Sequence, residues 1–509
     1  MRAEARGSRG VLAFQPHVSP ALRRAPQSVS NTRHVLVIGA GMSGLCAAML
    51  LARDGHRVTV LERDPAPPPA PQDAWGHWDR RGCAQFRLPH YMLPRFRQLL
   101  EAELPDVAAA LVAAGGARYD VVAQLPDAVT GGRRVDDDRF AVLTARRPVL
   151  EAVVAQAAAA EPGVRIRRGV AVRSLLTGRS DLAGVPHVAG VVTGKGEVLA
   201  ADLVVDAGGR RSALPDLLAA AGVTGVAEER EECGFVYYGR HFHSPDGLPP
   251  PRGSLNQQYD SVSLLTLPAD GNTWSVTIIA GSRDRELRAL RDPDRWHAAV
   301  RSFPLVAHWL DADPIDDGVA VMAGIEDRIR RFTGPDGRGK PVVTGVLAVG
   351  DAWACTNPTL GRGTSTALWH AALLRDLLRT DDAPAALTRR WWDSTAQLLE
   401  PWYRATIAAD RTRLAEIERD RAGVSSPPAD QAGRLGKALV AGAGRDPDVL
   451  RDALEIASML TLPSEVLGRP GAAERALAAG GGAPQYPLPG PDRRALLSIV
   501  ERAVAAPTG

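Results

Sequence analysis

One stretch near the start of the chain, residues 34–62, constrains the fold more than any other. It begins with a continuous apolar run at 35–38, which is typical of a strand buried on both faces of a parallel sheet. The sequence Gly-Ala-Gly-Met-Ser-Gly at 39–44 follows and predicts a tight turn. Residues 45–54 predict a helix, and 57–61 predict a second strand. This order predicts a Rossmann-like unit that binds a dinucleotide.

Each glycine of the turn has a separate physical role. Gly39 permits the turn, Gly41 lets the backbone approach a pyrophosphate, and Gly44 lets helix and strand pack closely. The helix start presents N–H groups without intrahelical partners to the phosphates. Glu62, at the end of the second strand, would accept hydrogen bonds from a ribose. The cofactor-binding residues expected from this unit are Gly39, Gly41, Met42, Ser43, Gly44, Glu62 and Arg63.

Composition excludes several classes of protein. A formal net charge of +3 over 509 residues gives no argument for nucleic-acid binding. No apolar run approaches the roughly 18 residues that a membrane span needs. The cysteines lack CxxC spacing, so neither a zinc site nor a disulfide framework is predicted, no metal site is assigned, and a cytoplasmic setting is expected. Residues 1–32 lack the apolar run of a secretory signal and are interpreted as a disordered extension.

Beyond the first unit, the sequence pattern alternates between helical and β-rich regions. Helices are predicted over 94–114 and 147–160, followed by short β-prone segments. A second β-rich block runs from about 233 to 330. The chain then returns to an apolar strand over 342–349 and continues as helices, with a long amphipathic helical stretch at 384–422.

A second motif follows the returning strand. Gly350-Asp351-Ala352 ends that strand, and the run Asn-Pro-Thr-Leu-Gly-Arg-Gly-Thr at 357–364 precedes a helix. Together with the first motif, this pattern resembles the FAD-dependent monooxygenases related to para-hydroxybenzoate hydroxylase, of the glutathione-reductase-like flavoprotein fold. The nearest branch is that of the flavin epoxidases and hydroxylases of secondary metabolism. The resemblance covers about 34–380 and is strong at 34–62 and 347–368. It implies FAD as the cofactor.

The resemblance also implies roles for the second motif. In the family, the aspartate binds the ribityl chain of FAD, so Asp351 would hold the ribityl hydroxyls. The backbone at Gly361–Thr364, including Gly363, would lie beside the pyrimidine end of the flavin. Pro358 and Gly361 would border its reactive face. A helix dipole there would stabilise negative charge on reduced flavin. No catalytic side chain is assigned, because the family requires no acid–base dyad.

Three further stretches resemble the family more loosely. Residues 144–151 resemble its Arg-x-x-Leu helix start, so Arg147 would contact FAD, with Arg146 as the alternative. Val172 would lie at the adenine. The block at Asp206, Asp-Ala-Gly-Gly-Arg, is closer to the epoxidase, halogenase and prenyl-reductase branches than to the aromatic hydroxylases. NADPH or NADH as electron source, acting directly or through a partner flavin reductase, therefore stays open.

The substrate pocket is the part that the sequence determines least. Residues 81–90 resemble a Gly-x-x-Gln…His stretch that lies near the pocket mouth in flavin epoxidases acting on polyketide chains. Gln85 and Arg87 are therefore pocket candidates. Tyr238 and Trp274, in predicted strands of the second β-rich block, are the other two candidates.

The expected architecture is α/β, with a Rossmann-like FAD-binding domain, a second β-sheet substrate domain and a helical C-terminal region. After the extension, the boundaries are 33–230 for the first part of the FAD-binding domain and 231–330 for the substrate domain. The FAD-binding domain returns at 331–380, and the helical region covers 381–509.

The leading functional interpretation is an FAD-dependent monooxygenase. It would hydroxylate or epoxidise a hydrophobic small molecule with molecular oxygen, through the flavin C4a-hydroperoxide that the resemblance implies. The alternative is an FAD-dependent reductase or dehydrogenase of the prenyl-reductase type. A flavin-dependent halogenase ranks lower, because its Trp-x-Trp-x-Ile-Pro motif and pocket lysine are not found. A non-catalytic lipid-binding escort protein also ranks lower, because Gly350-Asp351 is intact.

Overall fold

The computed structural model describes residues 32–503, without 81, 84, 334–338, 381–382, 425–429 and 485. The predicted N-terminal extension therefore lies outside the described residues except for its last residue. Within the described ranges, every helix is too short or too polar to cross a bilayer.

The first half of the chain builds a parallel sheet and its surrounding helices. Its elements are β1 (His34–Ile38), α1 (Met42–Arg53), β2 (Arg57–Glu62), α2 (Ala74–His77), α3 (Pro94–Glu103), α4 (Pro105–Ala113), β3 (Ala117–Tyr119), α5 (Asp127–Thr130), β4 (Val142–Thr144), α6 (Arg147–Ala160), β5 (Val164–Arg168), β6 (Val172–Gly178), β7 (His187–Thr193), β8 (Val198–Ala200), β9 (Leu203–Asp206) and α7 (Leu214–Ala220).

The second half adds an antiparallel region and a helical one. Its β-rich part contains β10 (Ala227–Glu232), β11 (Phe235–His243), β12 (Asn256–Gln258), β13 (Val262–Pro268), β14 (Thr273–Gly281), α8 (Pro293–Arg301), β15 (Asp313–Pro314), β16 (Ala320–Met322), β17 (Glu326–Arg331), β18 (Val346–Ala348) and β19 (Ala354–Cys355). The helices that follow are α9 (Arg362–Leu378), α10 (Pro384–Leu398), α11 (Glu400–Arg421), α12 (Gln431–Gly442), α13 (Pro447–Ala457), α14 (Pro463–Leu467), α15 (Ala472–Gly480) and α16 (Arg493–Arg502).

The parallel sheet has the strand order β18-β9-β1-β2-β5. Its central strand β1 pairs with β2 on one side and β9 on the other, both in parallel. Val35, Leu36 and Val37 are fully buried, which explains why the sequence here is an uninterrupted apolar run. Because the strands are parallel, the loops after β1, β2, β9 and β18 meet at one edge of the sheet, which we call the carboxyl edge.

A six-stranded antiparallel sheet lies next in the chain, with the order β12-β13-β14-β11-β15 and with β16 paired to β11. One face of this six-stranded sheet forms a core with α8 and α16. A smaller sheet of β10, β17 and β19 connects it to the loop after β18. The fold class predicted from the sequence is confirmed: an α/β protein with a Rossmann-like sheet, further sheets and a helical C-terminal region.

The predicted strand over 342–349 is shorter in the structure, where β18 covers Val346–Ala348. Three further predicted elements differ for a local reason. Helix α1 begins at Met42 rather than at residue 45, because the turn is already complete at Gly41, whose backbone is extended. The predicted helix over 94–114 is divided at Leu104, and the stretch at 384–422 is divided at Leu399. Proline occupies the first turn of the second helix in both cases, and it cannot donate the hydrogen bond that would continue the first helix.

Candidate functional site

The turn after β1 is shaped by contacts that only glycine tolerates. Gly39 has a φ of +104°, and a Cβ there would lie 2.6 Å from the carbonyl oxygen of Ala207, which follows β9. A Cβ on Gly44 would lie 2.1 Å from the carbonyl oxygen of Gly39. At Gly41 the nearest atom to a Cβ would be Nη1 of Arg80, at 3.9 Å. Gly39 and Gly44 are thus required by packing, whereas the backbone of Gly41 faces free space.

The carboxylate of Glu62 completes this turn. Its Oε2 accepts a hydrogen bond of 2.9 Å from the N–H of Ala40, and its Oε1 accepts one of 3.0 Å from the N–H of Asp64. Nη2 of Arg80 lies 3.6 Å from Oε2. Arg63 is exposed, and its guanidinium lies against Gly82. The buried Glu62 therefore fixes the shape of the turn from the neighbouring strand.

The second motif lies beside the first at the carboxyl edge. A Cβ on Gly350 would be 2.6 Å from Oγ of Ser43, which shows how closely the two turns approach. Asp351 follows, and a Cβ on Gly363 would be 3.9 Å from its Oδ1. Within the part of the chain that the structure describes, no group donates a hydrogen bond to the Asp351 carboxylate. An acid with free lone pairs fits a partner such as a ribityl hydroxyl.

The start of α9 offers further unsatisfied polar groups. Pro358–Leu360 form a 3-10 turn, and Gly361 adopts a left-handed φ of +64° before the helix begins. Oγ1 of Thr364 and Oγ of Ser365 are buried without a hydrogen-bond partner. The first N–H groups of any α-helix also lack intrahelical partners. The N–H groups at the start of α9 therefore suit a polar ring edge such as that of the FAD that the second motif implies.

A buried cluster of charged side chains borders the first turn. Nε of Arg147 donates to Glu151 at 2.6 Å, and Nη1 of Arg147 donates to Nε2 of His90 at 3.2 Å. Arg80 also donates to Glu151. Burial alone would raise the pKa of Glu151, but the charges of Arg147 and Arg80 outweigh it and hold that pKa below its usual range. Glu151 is therefore a charged anchor for both guanidinium groups.

His90 is neutral in this cluster. Burial and, next, the charge of Arg147 lower the pKa of His90 to about 3. Its Nδ1–H donates to the carbonyl oxygen of Leu88 at 2.8 Å, which leaves Nε2 to accept from Arg147. His90 therefore orients the guanidinium of Arg147 without adding charge.

The two neighbouring arginines at the start of α6 have different surroundings. Arg146 is bound to Asp270 of the six-stranded sheet region, with Nη2 at 2.6 Å from Oδ2, and lies over the ring of Trp75. Arg147 belongs to the cluster beside the first turn. Of the two arginines that the sequence left open, Arg147 is thus the one that the structure places near the carboxyl edge.

Val172 begins β6 and is half-buried. Two residues earlier, the N–H of Val170 donates to the carbonyl oxygen of Glu62 at 2.9 Å. The segment leading to Val172 therefore runs alongside the end of β2, where an adenosine ribose would lie if Glu62 binds it.

Two of the four pocket candidates lie on the face of the six-stranded sheet that packs against α8. Tyr238 and Trp274 are fully buried in the core against α8, and Nε1 of Trp274 donates to the carbonyl oxygen of Trp309. Tyr237, the next residue along β11, points the other way and donates to Asn357 in the loop before α9. Because strand side chains alternate, an error of one residue reverses the face. Of the two tyrosines, Tyr237 is therefore the one that contacts the loop before α9.

The stretch before α3 packs against that same face of β11. The ring of Trp75 lies 4.7 Å from that of His241, and a Cβ on Gly239 would be 3.3 Å from Pro89. Arg87 donates to the carbonyl oxygen of Trp78 at 3.1 Å and lies over Trp75, and Gln85 is half-buried. Arg87 therefore has a structural role in this covering segment, by which we mean the described residues of 75–92.

Sequence reasoning missed Arg80 and His370. Arg80 lies just before the stretch 81–90, and the signal for it is a basic residue two positions before Gly82 in the loop after β2. His370 lies in the middle of α9, where its Nδ1 accepts from the N–H of Gly350. No local pattern marks His370, because its partner is on another element.

Comparison with known proteins identifies similar sequences. Residues 34–111 match the family described as FAD dependent oxidoreductase. Over 377 residues the chain is 30% identical to Protein Rv3254 of Mycobacterium tuberculosis, which covers 68% of this chain and 73% of that protein.

Two solved structures share the fold. The crystal structure of pqsL, a probable FAD-dependent monooxygenase from Pseudomonas aeruginosa, aligns with a TM-score of 0.53 at 19% identity and covers 76% of this chain and all of that one. The flavin-dependent halogenase CmlS aligns with a TM-score of 0.55 at 18% identity, over 84% of this chain and 77% of that one. Identities this low show a shared architecture and leave the reaction open.

Proposed function

We propose that this chain, which belongs to the family of Protein Rv3254 of Mycobacterium tuberculosis and is an FAD-dependent oxidoreductase, is a monooxygenase of hydrophobic small molecules. One observation carries the proposal. The loop at 357–361 joins the carboxyl edge of the Rossmann-like sheet to Tyr237 on β11. A flavin ring beside this loop would lie between the dinucleotide turn and the six-stranded sheet, where a substrate has to lie to receive oxygen.

The residues that would hold FAD follow from the geometry. The N–H groups at Met42 and Ser43 and the free space at Gly41 suit the pyrophosphate. Glu62 suits the adenosine ribose, with Val172 nearby at the adenine. Arg147 and Arg80 supply positive charge beside the turn. Asp351 suits the ribityl chain, and the backbone at Gly361–Thr364 suits the pyrimidine edge of the ring.

When bound and reduced, FAD would supply the chemistry by which molecular oxygen reacts. One oxygen atom would go to the substrate and the other to water. The chain's own residues would bind, orient and exclude water. The N–H groups at the start of α9 would donate to the ring edge where negative charge grows. Pro358 has no N–H and can border the ring without competing for these donors. The covering segment, 75–92, would limit access of water to the same face.

The proposal also assigns separate roles to separate regions of the chain. We assign FAD binding to 33–230 and 331–380 and substrate binding to 231–330, in agreement with the position of the six-stranded sheet. The electrons would come from NADPH or NADH, directly or through a separate flavin reductase. Within the flavoproteins, we assign the chain to the epoxidases and hydroxylases related to para-hydroxybenzoate hydroxylase.

The alternatives make different demands on the site. A halogenase with a pocket lysine is disfavoured, since Lys195 and Lys340 are exposed and Lys437 pairs with Glu416 on α11. A reductase of the prenyl-reductase type would use the same FAD site, and only its use of oxygen separates it from a monooxygenase. A non-catalytic lipid-binding escort protein would not need the free carboxylate of Asp351.

The test uses the purified full chain. A yellow protein with bound FAD is expected, and anaerobic mixing with NADPH or NADH, with and without an added flavin reductase, identifies the electron source. Oxygen should then reoxidise the flavin, and consumption of the reduced nicotinamide should require oxygen. A colourless chain that binds NAD but not FAD would overturn the assignment of the site. Substrate turnover without oxygen would support the reductase instead.

Variants of Asp351 test the same proposal at one residue. Asp351→Ala should lower FAD occupancy and slow oxygen consumption, because the ribityl hydroxyls lose their acceptor. Asp351→Asn keeps one acceptor oxygen and should lose less. Wild-type flavin content and turnover in both variants would contradict the role of Asp351.

A further inference from the structure

Helix α11 holds both ends of the loop that the proposed function places at the flavin. At one end, Nδ2 of Asn357 donates to Oδ1 of Asp410 on α11 at 3.0 Å. At the other end, Nη1 of Arg362 donates to Thr406 Oγ1 at 2.7 Å and to the carbonyl oxygen of Trp402 at 3.1 Å. All three acceptors belong to the same helix, so the position of the loop depends on α11.

Asn357 is the central residue of this arrangement. Its backbone N–H donates to Oδ1 of Asp327 on β17 at 2.6 Å, and its side chain accepts from Tyr237. Asn357 is 2% exposed and Asp410 is 7% exposed, so solvent replaces none of these bonds easily. Asn357 is thus held by three different elements, β17, β11 and α11, and among the described residues Asp410 on α11 is the one ionisable partner of its side-chain N–H.

Asp410 is unusual among these groups because half of its carboxyl is unused. Oδ2 of Asp410 is buried and has no hydrogen-bond partner in the described part of the chain. A buried polar atom without a partner is costly, and it persists where it has a role or where its group changes protonation. The unused oxygen is therefore a second observation, independent of the Asn357 bond, that distinguishes Asp410 from an ordinary structural acid.

We propose that Asp410 is a positioning residue whose protonation state sets how firmly the loop 357–362 is held, and through it how tightly the chain binds FAD. The proposal rests on the proposed function, since it takes the loop to border the flavin. When Asp410 is ionised, its bond to Asn357 is charge-assisted and roughly twice as strong as a neutral one. When Asp410 is protonated, the bond weakens and the loop is held less firmly.

Burial and, after it, the charges around Asp410 place this change near neutral pH. Burial raises the pKa of Asp410 to about 7, against the opposing effect of its hydrogen bond to Asn357. The negative charges of Asp327 and Glu231 act in the same direction as burial, and the positive charge of Arg362 opposes them. The titratable or charged groups that face Asp410 are Asp327 on β17, Glu231 on β10, Cys233, Tyr237 on β11 and Arg362 on α9.

Helix α11 also contacts the six-stranded sheet. Arg413, less than one turn from Asp410, donates to Ser263 Oγ at 3.2 Å and to the carbonyl oxygen of Val262 at 2.8 Å. The same helix therefore holds the loop and strand β13 of the sheet that is proposed to bind substrate. A change in the position of the loop can thus affect both the proposed flavin side and the proposed substrate side of the site.

The experiment compares Asp410→Asn with wild type between pH 5.5 and 8.5. Two quantities are measured: the dissociation constant of FAD, by quenching of its fluorescence, and hydrogen exchange of the 355–362 peptide in the FAD-free protein. Wild type should bind FAD more tightly, and exchange more slowly after correction for intrinsic rates, as pH rises through about 7. Asp410→Asn keeps an acceptor for Asn357 but cannot ionise, so both quantities should lose the transition near pH 7. Burial raises the pKa of Asp327, which also binds Asn357, to about 6, so any transition left in Asp410→Asn should lie at that lower pH.

Two further variants test the acceptor and the neighbouring charge separately. Asp410→Ala removes the acceptor and should weaken FAD binding about tenfold above pH 7, the change expected for one bond to a charged group. Asp327→Asn removes a neighbouring negative charge, so the transition should persist but move to lower pH. A merely structural role for Asp410 would change thermal stability without moving a pH profile.

The outcomes separate the two proposals. A transition in Asp410→Asn identical to that of wild type in both quantities overturns the role of Asp410. If the exchange transition depends on Asp410 but the FAD affinity does not, Asp410 holds the loop without affecting the cofactor, and the link to FAD is wrong. If Gly361→Val keeps its flavin, the loop does not border the ring and the proposed function fails, whatever Asp410 does.

Discussion

The Nδ1 atom of His370 accepts a hydrogen bond of 3.1 Å from the backbone N–H of Gly350. The other ring nitrogen of His370 lies 3.0 Å from Oγ1 of Thr395, and the ring stacks on Trp391. Since Gly350 directly precedes Asp351, a residue in the middle of α9 fixes the turn that presents the proposed ribityl acceptor.

This bond predicts a dependence of stability on pH. Burial lowers the pKa of His370 to about 3, whereas an unfolded histidine titrates near 6.5. Below pH 6.5, His370 binds a proton in the unfolded state but not in the folded state. The contribution of His370 to the free energy of unfolding is therefore fully present above pH 6.5 and falls by about 1.4 kcal/mol per pH unit towards pH 3.

The measurement is urea unfolding of wild type and His370→Gln at pH 7 and pH 5. His370→Gln should be less stable at pH 7, and its stability should fall less between the two pH values, by about 1 to 2 kcal/mol. An equal fall in the free energy of unfolding between pH 7 and pH 5 for the two proteins would show that His370 is not buried in its neutral form. His90 has the same low pKa and supplies an independent comparison through His90→Gln.

Arg147 and Arg146 form a matched pair for testing contact with FAD. Arg147→Ala should weaken FAD binding by about 1.5–3 kcal/mol, the range for hydrogen bonds to charged groups. Arg146→Ala removes the same side chain one position away and disrupts the pair with Asp270, so it should affect stability more than FAD affinity. Fluorescence titration with FAD measures the affinity of each variant, and urea unfolding measures its stability. A larger loss of affinity in Arg146→Ala would assign the contact to Arg146.

Glu62 is expected to act on the ribose and on the turn together. Glu62→Ala should weaken FAD binding by about 1.5–3 kcal/mol. Glu62→Gln keeps one acceptor for Ala40 or Asp64 and should lose less affinity, because the turn retains part of its support. An unchanged dissociation constant in Glu62→Ala would show that Glu62 meets neither the ribose nor a turn that FAD requires.

Gly361 tests the loop through the backbone. Its φ is +64°, and an added Cβ would lie 3.2 Å from the carbonyl oxygen of Tyr91. Gly361→Val should displace the flavin while leaving the rest of the fold intact. The control is Gly222→Val, since Gly222 also has a positive φ, +80°, but faces open space after α7. Both variants should lose about 1–3 kcal/mol of stability from backbone strain, and only Gly361→Val should lose flavin in the visible spectrum.

The sequence by itself determined the first unit of the fold, because everything needed there is local. A buried strand, three glycines and an acid at the end of the next strand occur within a short stretch, and each is required by the geometry of its immediate neighbours. The turn at Gly350-Asp351 and the start of α9 were predictable for the same reason. The residue types there indicate the backbone conformation directly. Gly361, for example, adopts the left-handed φ that glycine favours.

Only the tertiary structure decided which side chains meet at the site. Tyr237 and not Tyr238 faces the loop because the register of β11 sets the direction of every second side chain, and that register depends on β14 and β16. His370 contacts Gly350 from the middle of α9, and Asp410 contacts Asn357 from α11 in the helical C-terminal region. Such contacts join residues far apart in the chain, and their strength comes from burial, which no local pattern of residues records.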